Sequence, residues 1–308
     1  MKIRQAILVS GCVILVFASL LQAQQKEQLG PGVPDDAISY SSATTTPTSA
    51  VIGEPPAAPT PLPNPPQAGG AIDRTSQDDT WHINVSPYLW IPWAHGTVGA
   101  LGDSAGFSAT PSDIFSHFRL GLLGAVEARR NRLVTTVDLM YMRLGDDKAL
   151  PALPPPLIAT SANFTANLFI LTPKVGIRLI NSKKITADFL TGIRYWYFGE
   201  SLNFSPSTLN LNFSKSQNWV DPLVGGRVEF ALSRKTVFTA AGDVGGWGTG
   251  SQLEYQVVGL LGYKLKPNLA LQGGYRYLYF DKTRGGPAGA FADVALSGIV
   301  IGATLNLK

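Results

Sequence analysis

A chain of 308 residues with a formal net charge of +4, 15% charged and 45% apolar, has the composition of neither a nucleic-acid-coating basic protein nor a charge-rich disordered one. Its longest basic patch is Arg129-Arg130-Asn131-Arg132, which argues against nucleic acid as a partner. The single cysteine, Cys12, lies in the first apolar stretch, so no disulfide framework organises the rest.

Lys2 and Arg4 precede an apolar run of 16 residues, Ala6 to Leu21, and Leu21-Gln22-Ala23 then offers a small residue at a cleavage position. This order predicts a secretory signal peptide over 1–23. The run is shorter than the ~20 residues a membrane-spanning helix needs. Val9-Ser10-Gly11-Cys12 has the look of a lipoprotein acylation site, but the apolar run continues for nine residues past Cys12. Residues 24–80 are dominated by Pro, Ala, Ser, Thr, Gly and Gln, as in GEPPAAPTPLPNPPQAGGA. Too few large apolar side chains are present to offset ordering entropy, which predicts a disordered periplasmic linker. A proline-rich docking peptide for a periplasmic partner is the alternative.

From Trp81 to Lys308 the apolar period becomes two. The pattern predicts ten strands, at about 81–92, 118–130, 132–144, 162–180, 184–199, 216–232, 235–247, 251–265, 268–280 and 292–308. The joins alternate in length. Asn131, Asn181-Ser182-Lys183, Ser233-Arg234 and Lys266-Pro267 are tight, whereas 93–117, 145–161, 200–215 and 281–291 are long, and Gly248-Thr249-Gly250 is the one exception. Sorted loops and alternating strands of about ten residues predict an all-β, antiparallel up-and-down transmembrane barrel over 81–308, with short turns on the periplasmic side. Residues 96–110 leave the count open, since an extra hairpin there stands beside alternatives of eight or twelve strands.

One face of each strand is wide and apolar, such as Leu269, Leu271, Tyr275, Tyr277 and Tyr279, while the other mixes charge with Gly, Ala and Thr. Small residues beside ionised ones suit a narrow interior, so the charged face is assigned to the lumen. The predicted lumen cluster is Glu127, Asp138, Lys174, Arg178, Asp188, Arg194, Asp221, Arg227, Glu229, Asp243, Glu254 and Arg276. With Lys264 added, seven acids meet six bases, and Glu254 is the expected partner of Arg276. Aromatic residues gather at the long-loop ends, and Trp90, Trp93, Tyr141, Tyr195, Tyr197, Trp219, Trp247, Tyr255, Tyr277 and Tyr279 are read as an outer girdle where hydrocarbon meets head groups. Gly302, Leu305 and Leu307 have the spacing of a terminal signal for barrel-insertion machinery, although Lys308 stands where an aromatic is usual.

YLWIPWAHGTVG, FRLGLLGAVEARR with VDLMYMRLGD, VDPLVGGRVEF, GDVGGWGTGS, LEYQVVGLLGYKL and GGYRYLYFD together resemble a family of uncharacterised bacterial outer-membrane β-barrel proteins, over about 85–308. The resemblance implies a small up-and-down barrel in the outer membrane of a Gram-negative bacterium and implies no reaction.

For chemistry the residues offer little. The histidines are His82, His95 and His117, and no Ser, His and acid stand at a recognisable spacing. His117 with Ser116 and Asp113 nearby keeps a surface hydrolase as a second alternative. Asp146-Asp147 is a lone acidic pair and GDVGGWGTGS lacks the Lys of a phosphate loop, so no metal and no cofactor is expected. The expected role is structural, within the envelope and with the lumen closed by paired charges; a narrow passive pore for ions or small solutes is the first alternative. The expected partners are outer-membrane lipids and, during biogenesis, the insertion machinery.

Overall fold

The computed structural model describes residues 80–100, 103–149, 161–205, 212–284 and 290–307. The signal peptide and, but for Thr80, the Pro-rich linker expected from the sequence lie outside the described residues. The strands are β1 (His82–Ala100), β2 (Asp103–Ala109), β3 (Phe118–Arg130), β4 (Leu133–Ala149), β5 (Ser161–Asn181), β6 (Ile185–Ser205), β7 (Asn212–Ala231), β8 (Thr236–Gly246), β9 (Leu253–Lys266), β10 (Leu269–Arg284) and β11 (Ala290–Leu307). Among the described residues one short helix, α1 (Pro111–Ser116), starts at Thr110, whose side chain accepts from the Asp113 N–H while the Asp113 carboxylate accepts from the Thr110 N–H.

Consecutive strands pair antiparallel from β3 to β11, and β11 returns to β1 from Ile83 opposite Leu307 to Gly99 opposite Phe291. The result is a closed ten-stranded barrel. β2 is the extra hairpin: it pairs with the top of β1 alone, from Ala94 opposite Ala109 to Ala100 opposite Asp103. Below it β1 pairs with β3 only as far as Pro87 opposite Gly124. Residues 88–93 therefore have no strand partner on that side, and Pro92 among them has no N–H to satisfy.

Several strands reach further than their alternation suggests. β6 runs to Ser205 and is still paired with β7 at Asn203 opposite Asn212. Leu202 stands opposite Phe213 in this extension, so the apolar alternation continues with the backbone ladder past the bounds expected from the sequence. At the other end the joins are tight, and Asn131 takes the left-handed conformation at φ 54° that closes the β3–β4 turn.

Side chains from non-neighbouring strands touch one another, which fixes the inner face. Arg227 of β7 reaches Glu127 of β3, and Arg276 of β10 reaches Asp138 of β4. Such contacts are open only across a lumen. The opposite face carries exposed large apolar residues on every barrel strand, among them Leu89, Leu122, Leu133, Ile177, Phe189, Val220, Val244, Val257, Leu271 and Ile301.

Candidate functional site

The lumen is filled in tiers. Nearest the short turns, Arg178 Nε donates to Asp188 Oδ1 at 2.7 Å and its Nη2 to Oδ2 at 3.2 Å. Arg227 Nη2 donates to the same Asp188 Oδ2 at 2.6 Å, pairs with Glu127, and lies 3.7 Å from Glu229. Two guanidinium groups thus share one carboxylate, with acids on both sides to balance them.

One tier up, Arg194 is the hub. Its Nη2 donates to Asp243 Oδ1 at 2.9 Å, Nη1 to Glu254 Oε1 at 3.2 Å and Nε to Thr172 Oγ1 at 3.1 Å. Lys174 Nζ takes the other oxygen of Asp243 at 2.9 Å, and Trp196 Nε1 donates to Glu254 Oε2 at 2.8 Å. Alongside, Arg276 donates to Asp138 Oδ2 at 2.8 Å, to the Tyr88 hydroxyl at 2.9 Å and from Nε to Gln256 Oε1 at 2.9 Å. The Tyr88 hydroxyl donates in turn to Asp138 Oδ1 at 2.6 Å. Arg276 therefore meets Asp138 rather than the expected Glu254. Register explains the correction: Glu254 stands opposite Phe280, four residues beyond Arg276, or about 13 Å along the strand.

Above the charges lies a layer the sequence reading did not foresee. Trp90, Leu123, Met140, Ile170, Trp196, Leu278 and Val300 form a buried cluster, with Trp219 and Phe280 packed against it. The Trp196 and Trp219 rings stack at 5.4 Å, and the Phe280 ring lies 4.8 Å from Trp196. Trp90 and Trp219 were expected in the outer girdle, and this is a second correction. Trp90 is 3% exposed and Trp219 donates from Nε1 to Asp221 Oδ2 at 2.9 Å, so both point inward. Trp93, Tyr141, Tyr195, Tyr197, Tyr255, Tyr277 and Tyr279 have the opposite strand parity and face outward, and Trp247 is exposed beyond the end of β8. Tyr255 lies between Tyr277 and Tyr279 at 5.8 and 5.0 Å.

The join between β8 and β9 caps this layer. Gly246, Trp247 and Gly248 have φ of 92°, 47° and 78°, which turns the chain inward. Ser251 then donates from its backbone to Asp221 Oδ1 at 2.6 Å and from its hydroxyl to Oδ2 at 2.7 Å. Lys282 Nζ donates to the Gly250 carbonyl at 2.7 Å and sits 4.3 Å over the Trp219 ring. Asp221 is in no ion pair among the described residues, and three donors satisfy its carboxylate instead. The shortness of this one outer loop now has a reason: it is drawn into the barrel mouth. Lys264, counted inward from the sequence, is exposed at the opposite end.

A water-filled passage would leave area exposed on the side chains lining it. Arg194, Glu254 and Asp221 are 0% exposed and Trp196 is 1% exposed, so these four side chains border no solvent-filled space. Outside the lumen, Ser116, His117 and Asp146 form the nearest approach to a catalytic set. His117 Nδ1 lies 2.7 Å from the Asp113 carbonyl, which only accepts, so Nδ1 carries the proton and offers Ser116 no base. Ser116 itself donates to that carbonyl at 2.8 Å, and His117 Nε2 is 3.7 Å from Asp146. The Thr110 N–H and its hydroxyl hold the nearby Asp113 carboxyl below the usual carboxylate range. Among the described residues no group of His, Cys, Asp and Glu converges as a metal site.

Fold and site together define a closed, antiparallel, ten-stranded barrel with a packed polar and aromatic interior. Solved structures similar to it include the outer membrane protease OmpT from Escherichia coli, at 11% identity over 74% of this chain and 97% of that one, with a TM-score of 0.45. Neisserial surface protein A is similar at 13% identity over 73% and 96%, TM-score 0.30, and the attachment invasion locus protein Ail of Yersinia pestis at 10% over 74% and 98%, TM-score 0.33. These likenesses assign no role to any residue of this chain. No family model matches the sequence, and neither does any curated protein.

Proposed function

We propose that the protein is an integral outer-membrane barrel of a Gram-negative bacterium, exported by a cleaved signal peptide, with a structural role in the envelope and a closed lumen. The membrane half of this reading is supported by exposed large apolar side chains on all ten barrel strands, whereas soluble proteins rarely expose a contiguous apolar patch of more than a few hundred Å². Closure of the sheet supports it too, because a strand-built span in lipid has to pair all its backbone groups within the protein. The outward tyrosines of β6, β9 and β10 then lie at the outer interface, and the short turns face the periplasm. Gly302, where an added side chain would meet the backbone of Pro87 at 2.7 Å, seats β11 against β1, and this terminal strand is what the insertion machinery would read.

The closed-lumen half rests on the Arg194 hub, which bridges β6 to β8 and β9 with no exposed area. Ion pairs buried in this way tie three strands together, and their lack of exposed area supports a closed lumen. Purified full-length protein in planar bilayers is expected to show no steady conductance. Large, steady steps would overturn the closed lumen and return the narrow-pore reading. The class has its own check: heated and unheated protein should migrate differently in detergent gels and resist carbonate extraction, and identical migration with extraction would overturn the membrane assignment.

A further inference from the structure

The short-turn end carries a charge pattern that neither the lumen nor the backbone uses. Arg132 stands in the β3–β4 turn, Lys183 and Lys184 in the β5–β6 turn, Arg234 and Lys235 in the β7–β8 turn, and Lys266 ends β9 at the β9–β10 turn. All six are exposed, and none is held in an ion pair among the described residues. The turn segments contain no acid. The nearest acids inward, Glu127, Asp188 and Glu229, are already committed to Arg178 and Arg227. The opposite end differs, because there Arg119 meets Asp147 and His117 lies against Asp146.

We propose that this basic ring binds the phosphate groups of anionic glycerophospholipids in the leaflet that borders the short turns. Three observations choose a lipid surface over a soluble partner. First, each basic turn adjoins the exposed apolar belt: Leu133 follows Arg132, Ile185 follows Lys184, Leu232 precedes Arg234 and Leu265 precedes Lys266. One or two residues span about 3 to 7 Å, which sets the cations at head-group depth. Second, the four turns lie at successive positions around the barrel, so the charge forms a ring. A docked protein meets one side of such a ring, whereas a leaflet meets all of it. Third, Trp81 is exposed at the same rim with the Arg130 guanidinium 5.9 Å over its ring, an amphipathic pair suited to the interface.

The inference rests on the membrane-spanning reading above. The test refolds the full chain into vesicles of equal parts phosphatidylglycerol and phosphatidylcholine, releases it in mild detergent, and weighs the intact protein with its bound lipids. Phosphatidylglycerol is expected to exceed phosphatidylcholine by about fivefold. The ratio should fall towards one in the combined variant Lys183→Gln, Lys184→Gln, Arg234→Gln, Lys235→Gln, and also for the unaltered protein released at high salt, which screens exposed charge. A ratio of one for the unaltered protein, or an unchanged ratio in the variant and at high salt, overturns the proposal. Tight binding of soluble polyglutamate with no lipid preference overturns it in favour of an acidic protein partner. Failure to insert at all, seen as identical migration of heated and unheated protein, removes the membrane reading and this proposal with it; insertion without lipid selection removes this proposal alone.

Discussion

The half of the lumen near the short turns is filled with ion pairs and the half near the long loops with rings, and the two fillings resist deformation differently. Guanidinium and carboxylate groups are directional, so Arg194 and Arg227 hold particular strands at particular heights. Trp196, Trp219 and Phe280 stack on area and shape and tolerate small shifts. The barrel is therefore pinned in register and closed at one level and packed by volume at the next, and the two properties are separable by mutation.

The largest effect is expected at the hub. Arg194→Met leaves Asp243 with Lys174 as its one cation, beside a long hydrogen bond of 3.5 Å from Gln256 Nε2, and Glu254 with only the Trp196 N–H, two carboxylates without solvent around them. Removing one partner of a buried pair costs about 3 to 5 kcal/mol. Urea unfolding in micelles, followed by loss of the fast-migrating gel form, should show a loss near the top of that range. Adding Asp243→Asn and Glu254→Gln should restore part of it, and no restoration would mean that the cost lies in packing rather than charge.

Trp196→Ala comes next, at about 3 to 4 kcal/mol for an emptied aromatic site. It removes the centre of the ring layer, and with it one donor to Glu254, while Arg194 still bridges to that carboxylate. Planar-bilayer conductance should stay at baseline, and steady steps in this variant would place the seal in the rings instead of the ion pairs.

The cap is more tolerant. A Cβ at Gly250 would lie 2.5 Å from Asp221 Oδ1 and 2.7 Å from Trp219 Cδ1, so Gly250→Ala has to push the turn outward. Overpacking of this kind costs about 1 to 3 kcal/mol. Iodide should then quench Trp219 more strongly than in the unaltered protein, and unchanged quenching would show that the turn is not what shields it.

These contrasts also explain what the sequence made visible. The charged tier could be read because ionised residues on one strand parity have no bland explanation. The ring tier obeyed the same parity: Trp196 is two residues from Arg194, Trp219 two from Asp221, and Leu278 and Phe280 two and four from Arg276. Their position near the strand ends suggested the girdle for Trp90 and Trp219, and position overrode parity where parity was the stronger physical constraint. Partner choice was not legible at all. Which acid meets Arg276 depends on strand register and on the distance across the lumen, and neither is written in one strand. The cap was visible only as a loop too short for its side of the barrel.

The smallest effect isolates burial from geometry. Arg119 and Asp147 meet at 2.6 Å outside the lumen, and Arg178 and Asp188 meet at 2.7 Å inside it. By distance they are equals. The exposures are 51% and 59% for the outer pair against 4% and 1% for the inner one. Water screens the outer pair, and ordering two free side chains offsets most of what remains, so Arg119→Gln should change stability by about 0 to 1 kcal/mol. Arg178→Gln strands half of the Asp188 coordination in a dry interior and should cost several times more by the same urea assay. Equal losses in the two variants would show that the lumen near the short turns is wet, and with that the ion pairs would cease to be what fixes the register of the barrel.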